Sequence, residues 1–173
     1  MAFAENLKQG RGFEEWAAER LVEDGWSVLP LADLPARGGR GPRLRAGGRD
    51  PTLPDLQATK HGRHVAVECK RKEAADWGRV VGEWEHGTSR HLLDSYREYE
   101  RQTGVATFLV IGEVSTQSVY AQRVTELRVH FSYSPAMGHM AYWPRSQMRG
   151  GPWREGAWLL RLNRYVEQSG YRR

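Results

Sequence analysis

Cysteine is nearly absent: of 173 residues, Cys69 alone carries a thiol. One thiol forms no internal disulfide, and a cysteine-based zinc site needs several. A disulfide-stapled secreted scaffold is thereby excluded, and a reducing compartment fits best. Long hydrophobic runs are missing too; no stretch approaches the ~20 apolar residues of a spanning helix, so no membrane partner is expected. The opening Met-Ala-Phe-Ala-Glu-Asn lacks the basic region and apolar run of a secretory leader. The expected location is the cytoplasm.

What is there suits one globular domain spanning 1–173. Apolar residues make up 39% and charged residues 27%, both ordinary for a folded domain. Seven Trp, seven Tyr and four Phe offer too much buriable surface for a mainly disordered chain. The net charge is +5 and the isoelectric point about 9.6, which favours a polyanionic partner and says nothing about fold.

Apolar residues Phe13, Trp16, Ala17 and Leu21 recur at helical spacing and predict a helix over 13–24, closed by Gly25. Trp26–Pro30 reads as a short strand. Residues 35–51 then hold five Gly, five Arg, three Pro and one Asp, a composition expected of a mobile surface loop. Two strand-like runs, 54–59 and 64–70, flank a turn at Lys60-His61-Gly62-Arg63. Residues 71–87 read as irregular, with Trp77 and Trp84 as anchors. A helix is expected from Thr88 or Ser89 to Gln102, ended by Gly104. The apolar run 105–112 predicts a strand buried on both faces. Further strands are expected at 118–124, 140–143 and 158–162. A hairpin, a helical crossover and a buried strand in that order argue for a mixed α/β sheet flanked by helices.

The hairpin carries the chemistry. Whether Lys60 pairs with Arg63 or Thr59 with His64, Asp55 falls opposite Glu68. Opposed residues have β-carbons about 4.5–5.5 Å apart on one face. Carboxylates that close repel unless something positive lies between them, and a divalent cation with oxygen ligands is the natural occupant. Side chains alternate along a strand, so Val65, Val67 and Cys69 point to the core, while His64, Ala66, Glu68 and Lys70 point the other way. An Asp–Glu pair with a Lys suits metal-assisted phosphodiester hydrolysis: carboxylates hold Mg²⁺ or Mn²⁺, and the ammonium orients water or offsets developing charge.

Pro54-Asp55, twelve residues, then Glu68-Cys69-Lys70 resembles the motif of the PD-(D/E)XK nucleases. The order of elements resembles their restriction-endonuclease-like αβββαβ core. Gly10-Arg-Gly-Phe-Glu14, with Gly25 eleven residues beyond the Glu, is similar to the first helix of archaeal Holliday-junction resolvases. The resemblance covers about 8–124 and leaves 125–173 as a C-terminal extension. It implies a Mg²⁺-dependent DNA nuclease, with Mn²⁺ as a substitute, leaving a 5′-phosphate and a 3′-hydroxyl. Asp55, Glu68 and the Cys69 backbone carbonyl would ligate metal, Lys70 would be the catalytic lysine, and Glu14, or alternatively Glu15, would assist from the first helix. Gln57 shares the Asp55 face. The DNA substrate would be duplex, branched or end-containing, and junction resolution would require a homodimer.

Arg37, Arg40, Arg43 and Arg45 in the loop are candidate phosphate contacts, as are Lys60, Arg63, Arg71 and Lys72 around the carboxylates. The last 29 residues carry seven Arg against two Glu, with Trp143, Trp153 and Trp158 nearby. Those aromatics suit stacking on unpaired bases but fit a core better. The plainer reading of Asp55, Glu68 and Lys70 is a surface ion pair. The competing function is a nucleic-acid-binding module on a nuclease-like fold that does not cut.

Overall fold

The computed structural model describes residues 2–31, 42–45 and 50–168, with side chains from residue 10 onward. In chain order the helices are α1 (Ala2–Glu23), α2 (Arg90–Thr103) and α3 (Leu159–Gln168). The strands are β1 (Ser27–Pro30), β2 (Leu56–Lys60), β3 (Arg63–Lys72), β4 (Asp76–Gly78), β5 (Glu83–Ser89), β6 (Ala106–Glu113), β7 (Ser118–Arg123), β8 (His130–Ser134), β9 (Gly138–Pro144) and β10 (Arg149–Pro152). No described helix is long and apolar enough to cross a membrane.

A six-stranded sheet, ordered β1-β2-β3-β6-β7-β10, forms the centre. Its β3 and β6 are parallel and its other neighbours antiparallel, so the sheet is mixed, as the sequence predicts. The expected register holds: Lys60 pairs with Arg63 and Leu56 with Val67. The turn between them has His61 at φ 50° and Gly62 at φ 71°. Two consecutive residues in the left-handed region make the tight hairpin turn whose twist matches the strands.

One face of the sheet packs against α1 and α3. Phe13, Ala17 and Leu21 of α1 meet Val65, Val67 and Cys69 of β3, joined by Leu162 and Val166 of α3. The other face is covered by α2 and by a second, four-stranded sheet ordered β4-β5-β9-β8, around Leu93, Tyr96, Leu109, Ile111 and Trp143. All eight residues of β6 are buried, as a strand covered on both faces requires.

Three expectations change. The first helix begins at Ala2 rather than Phe13; the apolar periodicity starts only at Phe13, and Gly10 and Gly12 lie within the helix with open space around them. Residues 71–87, expected to be irregular with Trp77 and Trp84 as anchors, supply β4 and most of β5, and the two tryptophans are exposed, stacked on each other edge to face rather than on the core. The segment 158–162, expected to be a strand, is a 3₁₀ turn leading into α3; Leu159, Leu162 and Val166 fall on one buried helical stripe. The C-terminal extension thereby completes the core. Trp143 and Trp158 are fully buried, and Trp153 packs beside Phe13 and Trp16.

Candidate active site at the head of strand β2

The site exists because β2 is short. It begins at Leu56, so the stretch of β3 from Glu68 onward has no β2 backbone beside it. The Asp55 carboxylate takes the place of the missing strand: Cys69 N–H donates to Asp55 Oδ2 at 2.8 Å. A residue in an antiparallel strand directs its N–H and C=O to the same side. The Cys69 carbonyl therefore faces this same gap, on the side of Asp55. The Cys69 side chain turns away into the core, and burial, then the charges of Asp55, Glu68 and Glu14, push its thiol well above its ordinary pKa. It stays a neutral core group.

Glu68 is only 2% exposed. Its Oε1 is met by the Lys70 ammonium and accepts a hydrogen bond from Tyr96 O–H at 2.5 Å. Burial works against charge on Lys70, but Glu68 and Asp55 outweigh it and raise the lysine above its ordinary pKa. Lys70 thus stays an ammonium. Burial, reinforced by Glu68, pushes the Tyr96 hydroxyl far above its usual range, so it stays protonated and donates to Glu68. For Asp55, burial and the charges of Glu68 and Glu14 prevail over Lys70 and the Cys69 N–H, moving its pKa from 3.8 up to about 8.

These groups line one open cavity of about 520 Å³. Its walls come from both sides of the sheet: Glu14, Glu15 and Ala18 from α1, Leu92 and Tyr96 from α2, and Thr52, Pro54 and Asp55 from the chain entering β2. Glu14 reaches the Asp55 side because the sheet ends there. Four predicted residues, Asp55, Glu68, Lys70 and Glu14, therefore share a site.

Among the described residues no three His, Cys, Asp or Glu side chains already converge as a cation cluster. Mg²⁺ does not demand one, since it keeps several waters and is commonly held by one or two carboxylates. The donor set fits such an ion: two carboxylates and a carbonyl at one gap, all hard oxygens. Burial first, then the charges of Glu68 and Glu14, disfavour the Asp55 carboxylate, and a divalent cation would offset both.

The predicted phosphate contacts are scattered. Arg37 and Arg40 lie outside the described residues. Arg43 forms a β-bridge with Thr52, and Thr52 N–H donates to Ser95 Oγ at 2.6 Å, which ties this part of the loop to α2 beside the cavity. Arg45 is exposed. Lys60 points to the α1 side, where its Nζ bonds Asp24 Oδ2 at 2.9 Å and Asn163 Oδ1 at 3.2 Å. Arg63 and Arg71 share the alternation of Cys69, and neither lines the cavity. Lys72 borders a separate cavity of about 80 Å³ with Asp76 and Glu85. Gln57 lies at a shallow edge with Thr59 and His64. The sequence reading places Tyr96 only on the inner side of its helix and misses its role. The available signal is that a buried tyrosine hydroxyl needs a partner, and Glu68 is the buried acid of the facing strand.

No family model matches the chain, and no curated protein matches it. Solved structures do. The Holliday junction resolvase Hjc of Archaeoglobus fulgidus is similar over 80% of this chain and 90% of its own, with a TM-score of 0.52 and 15% identity. D212, a nuclease from a fusselovirus, is similar over 98% of this chain and 97% of its own, with a TM-score of 0.51 and 8% identity. With β2, β3, α2 and β6 in the predicted order and register, the chain has the fold of the PD-(D/E)XK-type nucleases.

Proposed function

We propose that this protein is a metal-dependent DNA nuclease that hydrolyses phosphodiester bonds at the head of β2. The observation that carries this reading is the convergence of Asp55, Glu68, Lys70 and Glu14 on one open cavity in a nuclease fold. Asp55, Glu68 and the Cys69 carbonyl would hold Mg²⁺, or Mn²⁺ in its place, with Glu14 assisting from α1. When bound, such an ion supplies Lewis-acid polarisation of the phosphate and a water acidic enough to attack near neutral pH.

The protein's own groups do the rest. Lys70, held as an ammonium by Glu68 and Asp55, is placed to offset charge developing on the phosphate oxygens. Tyr96 and Lys70 both engage Oε1 of Glu68, which fixes the carboxylate and leaves Oε2 as the oxygen that would hold the ion. Leu92 and Ala18 supply apolar wall beside the reacting groups.

The test is cleavage of a labelled panel: supercoiled plasmid, linear duplex, single strand, flap and four-way junction. Wild type, Glu68→Gln and Lys70→Ala would each be assayed with Mg²⁺, Mn²⁺ or EDTA. Cutting that needs the ion and disappears in both variants is the expected result. Salt-sensitive binding with no cutting under any condition would replace the enzyme with a non-cleaving binding module.

A further inference from the structure

The face of the small sheet that packs on α2 runs out at its edge strand, β8. On that face Phe131 stands opposite Ala141, and Tyr133 opposite His139. Ala141 is fully buried, whereas Phe131 is 49% exposed and Tyr133 64%. The two rings are organised rather than loose. The Arg90 guanidinium lies 4.3 Å from the centre of the Phe131 ring, and the Tyr133 and His139 ring centres are 5.0 Å apart. Aromatic surface on an unpaired edge strand invites a partner.

Charge identifies that partner. From Leu127 to Arg154 the chain has no Asp or Glu, while it carries Arg128, Arg145, Arg149, Arg154, His130 and His139. Asp94 does meet Arg90, at 3.5 Å, and Glu85 meets His130 at 3.4 Å. The contrast is with another exposed aromatic pair, Trp77 and Trp84, whose ring centres are 5.5 Å apart. That pair stands in a hairpin where exposed Asp76 and neighbouring Glu83 outnumber Arg79, a balance that would repel a phosphate chain. The β8 patch couples aromatic faces to an acid-free hairpin, and every nucleobase has a face that can stack on such rings.

Position links the patch to the site. Arg90 opens α2, and Leu92, on the far side of the same helix end, lines the cavity of Asp55, Glu68 and Lys70, so a strand joining the two crosses the N-terminus of α2. At ~1.5 Å of rise per residue, Arg90 stands about 9 Å along the helix axis from Tyr96. That is roughly the length of two or three stacked bases at ~3.4 Å each.

We propose that Phe131 and Tyr133, backed by Arg90 and His139, form a stacking platform for unpaired bases of a nucleic-acid strand that continues into the cavity. The inference rests on the nuclease reading and narrows its substrate to strands with a single-stranded segment beside the scissile position. Frayed, flapped or branched ends qualify, and continuous duplex does not use the platform.

The test measures fluorescence anisotropy of labelled oligo-dT, oligo-U and a blunt duplex in EDTA, with full-length wild type, Phe131→Ala, Tyr133→Ala, the double variant and Phe131→Tyr. Each alanine is expected to weaken single-strand binding about fivefold or more, with duplex affinity within about twofold and the melting temperature unchanged. Phe131→Tyr should restore binding. An effect on oligo-dT, oligo-U or both supports the platform and names the sugar it accepts. Unchanged single-strand affinity in the double variant overturns it, as does equal weakening on duplex. A wild-type dimer that the double variant dissociates, with oligonucleotide binding intact, assigns the patch to a second copy and also overturns it. Metal-dependent duplex cutting without any platform effect sinks this inference alone. Absence of all nucleic-acid binding by wild type sinks the nuclease reading as well.

Discussion

Neutralising Asp55 should make the metal-free protein more stable at alkaline pH. The Asp55 pKa rises from 3.8 to about 8 in the fold, through burial and then through Glu68 and Glu14. Between those values the native state binds a proton that the unfolded state has released, so stability falls as pH rises through this window. Above pH 8 the loss is complete. At about 1.4 kcal/mol per pK unit, the full interval corresponds to roughly 5–6 kcal/mol. The cavity beside Asp55 is open to solvent, which screens part of this interaction, and about half of that, 2–3 kcal/mol, is the expected penalty. Asp55→Asn removes the charge and keeps an amide oxygen to accept from Cys69 N–H. In EDTA at pH 8 its melting temperature should exceed that of wild type by about 5–10 °C, given ~2–4 °C per kcal/mol for a chain this size. At pH 3.5 the difference should vanish. Mg²⁺ should raise the wild-type melting temperature and leave that of the variant where it was. Circular dichroism melts over this pH range test the idea. An Asp55→Asn variant destabilised equally at pH 3.5 and pH 8 would refute the reasoning, because only the lost hydrogen bond would then matter.

Tyr96→Phe removes the hydroxyl that donates to Glu68. A hydrogen bond to a charged group is worth about 1.5–3 kcal/mol, so cleavage should slow by about tenfold or more with the fold intact; a single-turnover rate equal to wild type would exclude a positioning role. His86 is buried against Glu113, with Nε2 to Oε2 at 3.2 Å, and burial prevails over Glu113 to lower its pKa to about 4. Its folded pKa lies below its unfolded one, so this group's contribution to stability is present above pH 6.5 and lost as pH falls towards 4. Its ring resonances should stay those of neutral imidazole at pH 5.5 in an NMR titration, and a midpoint near 6.5 would contradict the burial argument. Leu162→Ala, at a fully buried position of α3, should cost about 2–5 kcal/mol in urea unfolding, whereas a loss below about 1 kcal/mol would make the C-terminal helix a dispensable appendage.

The site was legible where local rules left one answer. His61-Gly62 permits the tight turn, the turn sets the pairing, and the pairing sets Asp55 against Glu68. Once β6 had to be buried on both faces, the mixed sheet followed. The sequence was silent where tertiary contacts decide. In β5 the buried set is Glu85, His86, Gly87 and Thr88, a polar run without alternation. Gly87 leaves room for the Tyr142 ring across the strand pair, so a residue that reads as a breaker is there for packing. The run 158–162 is too short to separate helix from strand by apolar content. Lys60 sits beside the carboxylates in sequence, yet alternation and Asp24 carry its ammonium to the other face.

The turn at His61-Gly62 is also a ruler. Asp55 and Glu68 each lie six residues from the nearer central turn position, and before Leu56 Asp55 is held to that alignment by the bond from Cys69 N–H to its carboxylate and the bond from Leu31 N–H to its carbonyl. One residue inserted into the turn would shift the pairing by one, and a one-residue slip sends each side chain to the opposite face. Asp55 would then move to the α1 side among apolar residues, while Leu56 took its place beside Lys70. Tolerance to length change should therefore be sharply uneven along this chain. The Arg/Gly-rich segment between β1 and β2 can vary in length because the Thr52–Ser95 bond re-anchors the chain downstream of it, whereas the two-residue turn between β2 and β3 has a length fixed by chemistry twenty ångströms or so away, at ~3.3 Å per residue.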